Sequence, residues 1–174
     1  VRCFDSEKIT HVNSKISPSS DLETIKTEIV LSDLDILQKK LEKGKKKLLT
    51  DKEIKILEDA LTQLDKKQKV DVNNEEEKFL SSIGLLSIKP KIIVCNIDEE
   101  NLSIGNQYTK EVKNKYPDEK IINICADIED QLSGLDKNEK EAFMQDIGLN
   151  KTGLKQLIKE GYDLLKLDTF FTSG

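Results

Sequence analysis

Two short polar segments follow apolar, β-branched runs, and they carry the side chains best suited to reading a small molecule. Asn96-Ile97-Asp98-Glu99 follows Lys91-Ile92-Ile93-Val94-Cys95, and Cys125-Ala126-Asp127 follows Ile121-Ile122-Asn123-Ile124. An asparagine amide offers a donor and an acceptor on one edge, the pairing that adenine N6 and N7 satisfy. The plainer reading of Asn96 and Glu99 is a turn residue and a helix cap, because two fixed positions in four recur often by chance. A second chemistry is electrostatic. Lys39, Lys40, Lys43, Lys45, Lys46 and Lys47 crowd into nine positions opposed only by Glu42. Such a run meets phosphates readily, or stands as a solvated, self-repelling turn kept soluble by its charge. No aromatic lies among these lysines to stack on a base.

Catalytic and metal chemistry find less support. Cys3, Cys95 and Cys125 sit far apart within apolar runs, without the paired spacing of a zinc site or disulfide framework. They read as buried, reduced thiols of a cytosolic protein. Cys125 beside Asp127 lacks a nearby imidazole base, since the single histidine, His11, lies in a separate segment. Glu75-Glu76-Glu77 and Asp98-Glu99-Glu100 read as helix-start carboxylates that complement the macrodipole. Across 174 residues, 28 Lys plus Arg stand against 33 Asp plus Glu, a net charge of −5. The 36% hydrophobic fraction is enough for one or two small domains, and the 35% charged fraction demands a highly charged surface or a long exposed helix. Apolar stretches such as Ile92 to Cys95 fall far short of the roughly 20 residues that cross a bilayer. Neither a membrane partner nor a signal peptide is expected.

Periodicity supplies the elements that position these groups. Ser20 with Glu23, and Thr50 with Glu53, are capping-box signatures that open helices. Val30, Leu34, Leu37 and Leu41 repeat at coiled-coil spacing, as do Ile54, Leu57, Leu61 and Leu64. Two such seams hide each other in an antiparallel hairpin with its tip near Gly44 and the lysines. A third short helix is expected with Asn74 as cap and Phe79, Leu80 and Ile83 on one face. After Pro90 the pattern becomes strand, helix from Asn106 to Tyr116, strand: a right-handed βαβ crossover with strands of the kind buried on both faces. Amphipathic helices from Asp136 to Asp146, stopping at Gly148, and from Thr152 to Leu165 complete the α/β chain. Val1-Arg2-Cys3-Phe4 reads as a strand joined in mid-course, and Thr169 to Gly174 as the start of another. The expectation is a piece of a larger protein.

In open parallel sheets, ligands bind beyond the carboxyl ends of the strands, where both polar segments fall. G-domain proteins normally carry N-K-x-D at the first of these places, the aspartate accepting from the two donors of the guanine edge. Here Ile97 replaces the lysine, and Glu99 replaces the aspartate with one methylene more, so its carboxylate would overshoot guanine. A site built for particular donors rejects a ligand lacking them by as much as about 10⁴ to 10⁵. Adenine is therefore the expected base.

From end to end the chain resembles the YchF / Obg-like ATPase family of P-loop proteins. The resemblance rests on V-R-C-F followed by I-T-H-V, the helical hairpin, L-L-S-I-K-P before N-I-D-E, and F-M-Q-D-I-G-L and G-Y-D-L-L-K-L-D-T-F-F-T-S-G near the end. It implies a G-domain fold that favours ATP over GTP, interrupted by a coiled coil, followed by a small TGS domain, and associated with ribosomes. Bacterial members have been labelled GTP-dependent nucleic-acid-binding proteins. Residue by residue, it implies Asn96 against the adenine edge and Ile97 beside the base with its backbone available. It also implies Glu99 in place of the specificity aspartate, and Cys125 and Ala126 bordering the purine with their backbone.

The implied organisation is a G-domain segment at 1–19, the hairpin at 20–84, a C-terminal G-domain segment at 85–166 and the start of a TGS domain at 167–174. No G-x-x-x-x-G-K-S/T occurs, and no aspartate lies three residues before a glycine. The phosphate cradle and the Mg²⁺ hydroxyl are thus missing from this chain. The intact protein is expected to bind ATP or GTP with Mg²⁺ and hydrolyse it; this chain alone is expected to be inactive and without bound cofactor. The rival reading is a nucleotide-independent module that binds ribosomal RNA or a protein through the basic hairpin. The oligomeric state is left open.

Overall fold

The structure is a computed structural model that describes residues 1–6, 15–44 and 49–171. His11, Lys45, Lys46, Lys47 and the I-T-H-V segment lie outside them. The chain forms two compact units, Val1–Asp21 with Pro90–Gly174, and Leu22–Lys89.

The second unit is built on helix α1 (Pro18–Gly44), helix α2 (Asp51–Lys67) and helix α3 (Asn74–Ser82). Helix α1 starts at Pro18, which places Ser20 inside the first turn rather than at its cap. A proline suits a first helical position because its fixed φ is helical and its missing N–H would have had no partner. Helix α2 opens as predicted. Thr50 Oγ1 accepts the Glu53 N–H at 3.3 Å, and Glu53 returns a carboxylate oxygen to the Thr50 N–H at 2.8 Å. The cap of α3 is Asn73, one residue before the expected Asn74. Its Oδ1 accepts from the N–H groups of Glu75 and Glu76, and Glu76 reaches back to the Asn73 N–H.

The two leucine seams meet as their spacing requires. Val30, Leu37, Leu57 and Leu64 are buried in one cluster with Ala60, Val70, Leu80 and Leu85, and Leu34, Leu41 and Leu61 pack against it. One buried group was not foreseen. Asp33, on α1, is 0% exposed, and its carboxylate accepts from the backbone N–H groups of Leu86 and Ser87.

The first unit holds a parallel pair, strand β1 (Ile92–Asn96) and strand β2 (Lys120–Ile124), with Ile93 opposite Ile121 and Asn96 opposite Ile124. Between them runs helix α4 (Gln107–Lys115), within the expected helical segment, with Asn106 as its cap. Burial alternates along β1, with Ile93 and Cys95 inside, and only Ile122 of β2 is fully covered. The strands are therefore not buried on both faces within this chain. Arg2 bridges Asn96 in parallel on the other side of β1. Cys3 and Cys95 come together there, both buried, and the Cys95 sulfur and desolvation push the Cys3 thiol well above its ordinary range.

Helix α5 (Ala126–Ser133), helix α6 (Lys137–Asp146) and helix α7 (Gly153–Leu165) follow β2. Helix α5 is an element the sequence reading passed over. Its Ile128 and Leu132 form a small core with Cys125, against which Leu102, Phe143, Met144 and Leu149 pack. Helix α7 is held to its neighbours by polar ties: Lys120 to Glu160 at 2.5 Å, and the Gly153 N–H to Glu129 Oε1 at 2.5 Å. The expected strand after Leu167 does not form among the described residues 167–171. A strand needs a ladder partner, and none of the described segments pairs with it.

Candidate base-recognition edge

Parallel pairing brings the carboxyl ends of β1 and β2 side by side, and both predicted segments leave from there. The Ile97 N–H donates to Ile124 O at 2.9 Å, carrying the ladder one step past the strands. Asn96 is held at three points. Its N–H donates to Val1 O at 2.8 Å, its carbonyl accepts from the Cys3 N–H at 2.7 Å, and its side-chain Oδ1 accepts from the Ala126 N–H at 3.0 Å.

That last bond explains why an amide suits this position. Ala126 opens α5, so its N–H is one of the helix-start donors that lack an intrahelical acceptor. Cys125 occupies the cap position but makes no side-chain cap bond. Asn96, thirty residues away, supplies the oxygen instead. The bond orients the amide: Oδ1 faces α5, and Nδ2, with no hydrogen-bond partner among the described residues, is left as a donor at the strand ends. A second lone pair on Oδ1 remains to accept. Such an edge can donate to a ring nitrogen like purine N7 and accept from an adjacent amino group.

The remaining predicted residues fall as follows. Ala126 is exposed beside Asn96. Cys125 is buried among Ile128 and Leu132. Ile97 is 2% exposed, so its side chain lies in the interior, and its N–H is taken by Ile124. Of its backbone, only the carbonyl is left for a ligand. Glu99 is exposed and lines a hollow of about 470 Å³ with Ser103, Ile128, Ile147 and Leu149. Asp98, Glu99 and Glu100, expected to be helix-start carboxylates, lie instead in the loop before α4, where Asp98 accepts from Asn101 Nδ2 at 2.6 Å. A second hollow, of about 270 Å³, lies over β2 between Ser103, Lys113, Lys151 and Gln156.

Of the predicted lysines, Lys39 pairs with Asp35 at 2.6 Å, and Lys40 stands near enough to Glu53 to help hold that carboxyl low. Lys43 is exposed in the last turn of α1. Among the described residues, no group of three or more His, Cys, Asp or Glu side chains could hold a metal ion. None of their helices is long and apolar enough to cross a membrane.

Comparison with known proteins bears on this arrangement. No model of a known protein family matches the chain. The ribosome-binding ATPase YchF of Escherichia coli O157:H7 is 34% identical over 184 residues, covering 100% of this chain and 50% of the relative. The Bacillus subtilis protein of the same name is 31% identical over 186 residues, again with the whole chain covered. The solved structure of the Schizosaccharomyces pombe YchF GTPase superposes with a TM-score of 0.83 at 26% identity, over 100% of this chain and 51% of that one.

Along its whole length the chain is similar to proteins of the YchF family.

It spans about half the length of the curated relatives it matches. Its parallel pair and long helical hairpin correspond to the interrupted G-domain fold of the family structure. The resemblance read from V-R-C-F, L-L-S-I-K-P and the aromatic end segment is therefore matched by similarity across the whole chain.

Proposed function

We propose that this chain is the base-recognition edge and helical arm of a ribosome-associated P-loop protein that prefers ATP over GTP and hydrolyses it when whole. The observation that carries the reading is the tie from Asn96 Oδ1 to the Ala126 N–H, at the paired carboxyl ends of two parallel strands. It pins a donor where open α/β sheets bind ligands. The names of the relatives support ribosome association and nucleotide hydrolysis. Glu99 in place of aspartate supports adenine over guanine. Without a phosphate loop, residues 1–174 supply base contacts and no phosphoryl chemistry. Mg²⁺ would belong with the phosphates, which this chain does not cradle; when bound, it would neutralise charge on the terminal phosphates.

The test is titration of fluorescent ATP and GTP into the full-length protein and an Asn96→Ala variant. Tighter ATP binding, weakened about tenfold or more by the substitution, is the expected result, the scale of one buried hydrogen bond. Equal affinity for the two nucleotides, or an unchanged variant, refutes the reading.

A second reading has its own observation. Residues Leu22–Lys89 form a compact unit with a complete apolar cluster, as an arm that binds RNA without nucleotide would require. Affinity for ribosomal RNA should then fall steeply with salt, and neutralising Lys45, Lys46 and Lys47 should lower the slope by about one unit per lost phosphate contact. A flat salt response rejects it.

A further inference from the structure

The segment from the end of α3 to Pro90 closes the arm before the chain enters β1, and its polar chemistry is unusual. Gly84, at φ +95°, turns the chain out of α3 in a conformation that side chains rarely adopt. Leu85 then inserts into the apolar cluster, 0% exposed, while Leu86 is 44% exposed. Between the plug at Leu85 and the junction at Lys89 and Pro90, two backbone donors grip one buried carboxylate. The Leu86 N–H is shared between Asp33 Oδ1 at 2.9 Å and Oδ2 at 3.1 Å, and the Ser87 N–H donates to Oδ2 at 2.7 Å.

A carboxylate has about four acceptor sites, and this one, fully removed from solvent, meets two donors and no cation among the described residues. Burying such a charge is costly unless it is well paired. Beside it, the Ser87 hydroxyl oxygen is also buried, and it has no hydrogen-bond partner among the described residues. Charge-assisted bonds hold the segment closed, whereas desolvation of Asp33 and the unsatisfied Ser87 hydroxyl favour opening. Neither polar group belongs to the leucine cluster itself, and the strap's own apolar contact with that cluster is the partly buried Ile88.

We infer that Asp33 with the N–H groups of Leu86 and Ser87 forms a releasable latch, a strap over residues 86–90 that opens while the helical core of the arm stays closed. Asp33 is its positioning residue and Ser87 the group that keeps it marginal. The two make opposite predictions on the same amides. Hydrogen exchange of the full 174-residue chain should show the Leu86 and Ser87 amides opening more readily in Asp33→Asn, by about tenfold or more. The amides of Leu57 and Leu64 should keep their protection. In Ser87→Ala, which removes the buried hydroxyl and keeps the N–H, the Leu86 and Ser87 amides should exchange more slowly than in the parent. Unchanged exchange at these amides in either variant overturns the latch. So does Asp33→Asn exposing the arm core together with the strap, which would make Asp33 an ordinary member of the core.

Discussion

The arm and the sheet unit are held together by different means. In the arm, two heptad-like seams share one apolar cluster, and each residue's place follows from its neighbours three and four positions away. In the sheet unit, the site depends on groups remote in sequence: Val1 and Cys3 grip the backbone of Asn96, and Ala126 grips its side chain. The arm is a local solution and the base edge a non-local one. Damage to the arm should accordingly stay in the arm, while a small change at the edge should reach ligand binding with little loss of fold.

The largest expected effect tests that separation. Leu64→Ala removes a fully buried seam residue and should destabilise the arm by about 2–5 kcal/mol. Exchange protection at Ile93 and Ile122 should be unaffected; its loss would show that the two units stand or fall together.

A smaller effect is expected at the loop after β1. Gly105 has φ +73°, and a Cβ there would lie 2.6 Å from Thr109 Oγ1. That hydroxyl is buried and accepts the Asn106 N–H at the start of α4. Gly105→Ala should therefore cost about 2 kcal/mol and loosen α4 without touching the arm, as denaturant melts and exchange at Val112 would reveal. An unperturbed α4 would mean that Thr109 has room to yield.

The smallest effect concerns a cap. The Thr50 N–H, then its hydroxyl, hold the exposed Glu53 carboxyl below its ordinary range. A depressed folded-state value means stability that is present above the ordinary carboxylate range and is lost as pH falls through the lowered one. Thr50→Ala should cost about 1 kcal/mol at neutral pH. Removing the hydroxyl should also shrink the loss of arm stability on acidification, as thermal melts between neutral and acidic pH would measure. An equally steep acid loss in the variant would remove the cap from the account.

The same contrast explains what was legible in the sequence. The seams, the Thr50–Glu53 box, the helix between the strands and the two β-branched strands express local rules, and the structure carries them. Asn73 rather than Asn74 caps α3 because two adjacent asparagines satisfy the same rule, and only backbone geometry separates them. Asp33 carries no signal in the sequence because its partners are more than fifty positions away. The spacing of Ile128 and Leu132 does signal α5, but eight residues between a strand and a turn leave little periodicity to detect. At the edge itself, the residue types were readable and the orientation was not. Nothing near Asn96 in sequence announces that Ala126 will take its oxygen, or that Ile97 will turn inward.

Asn96→Asp in the full-length protein isolates the central claim. The substitution keeps an oxygen for the Ala126 N–H and replaces the Nδ2 donor with a second acceptor. The account predicts that calorimetric ATP affinity falls about tenfold or more, with the exchange protection of Ala126 retained. Undiminished ATP affinity alongside that retained protection would contradict it, because the amide would then hold α5 in place and read no base.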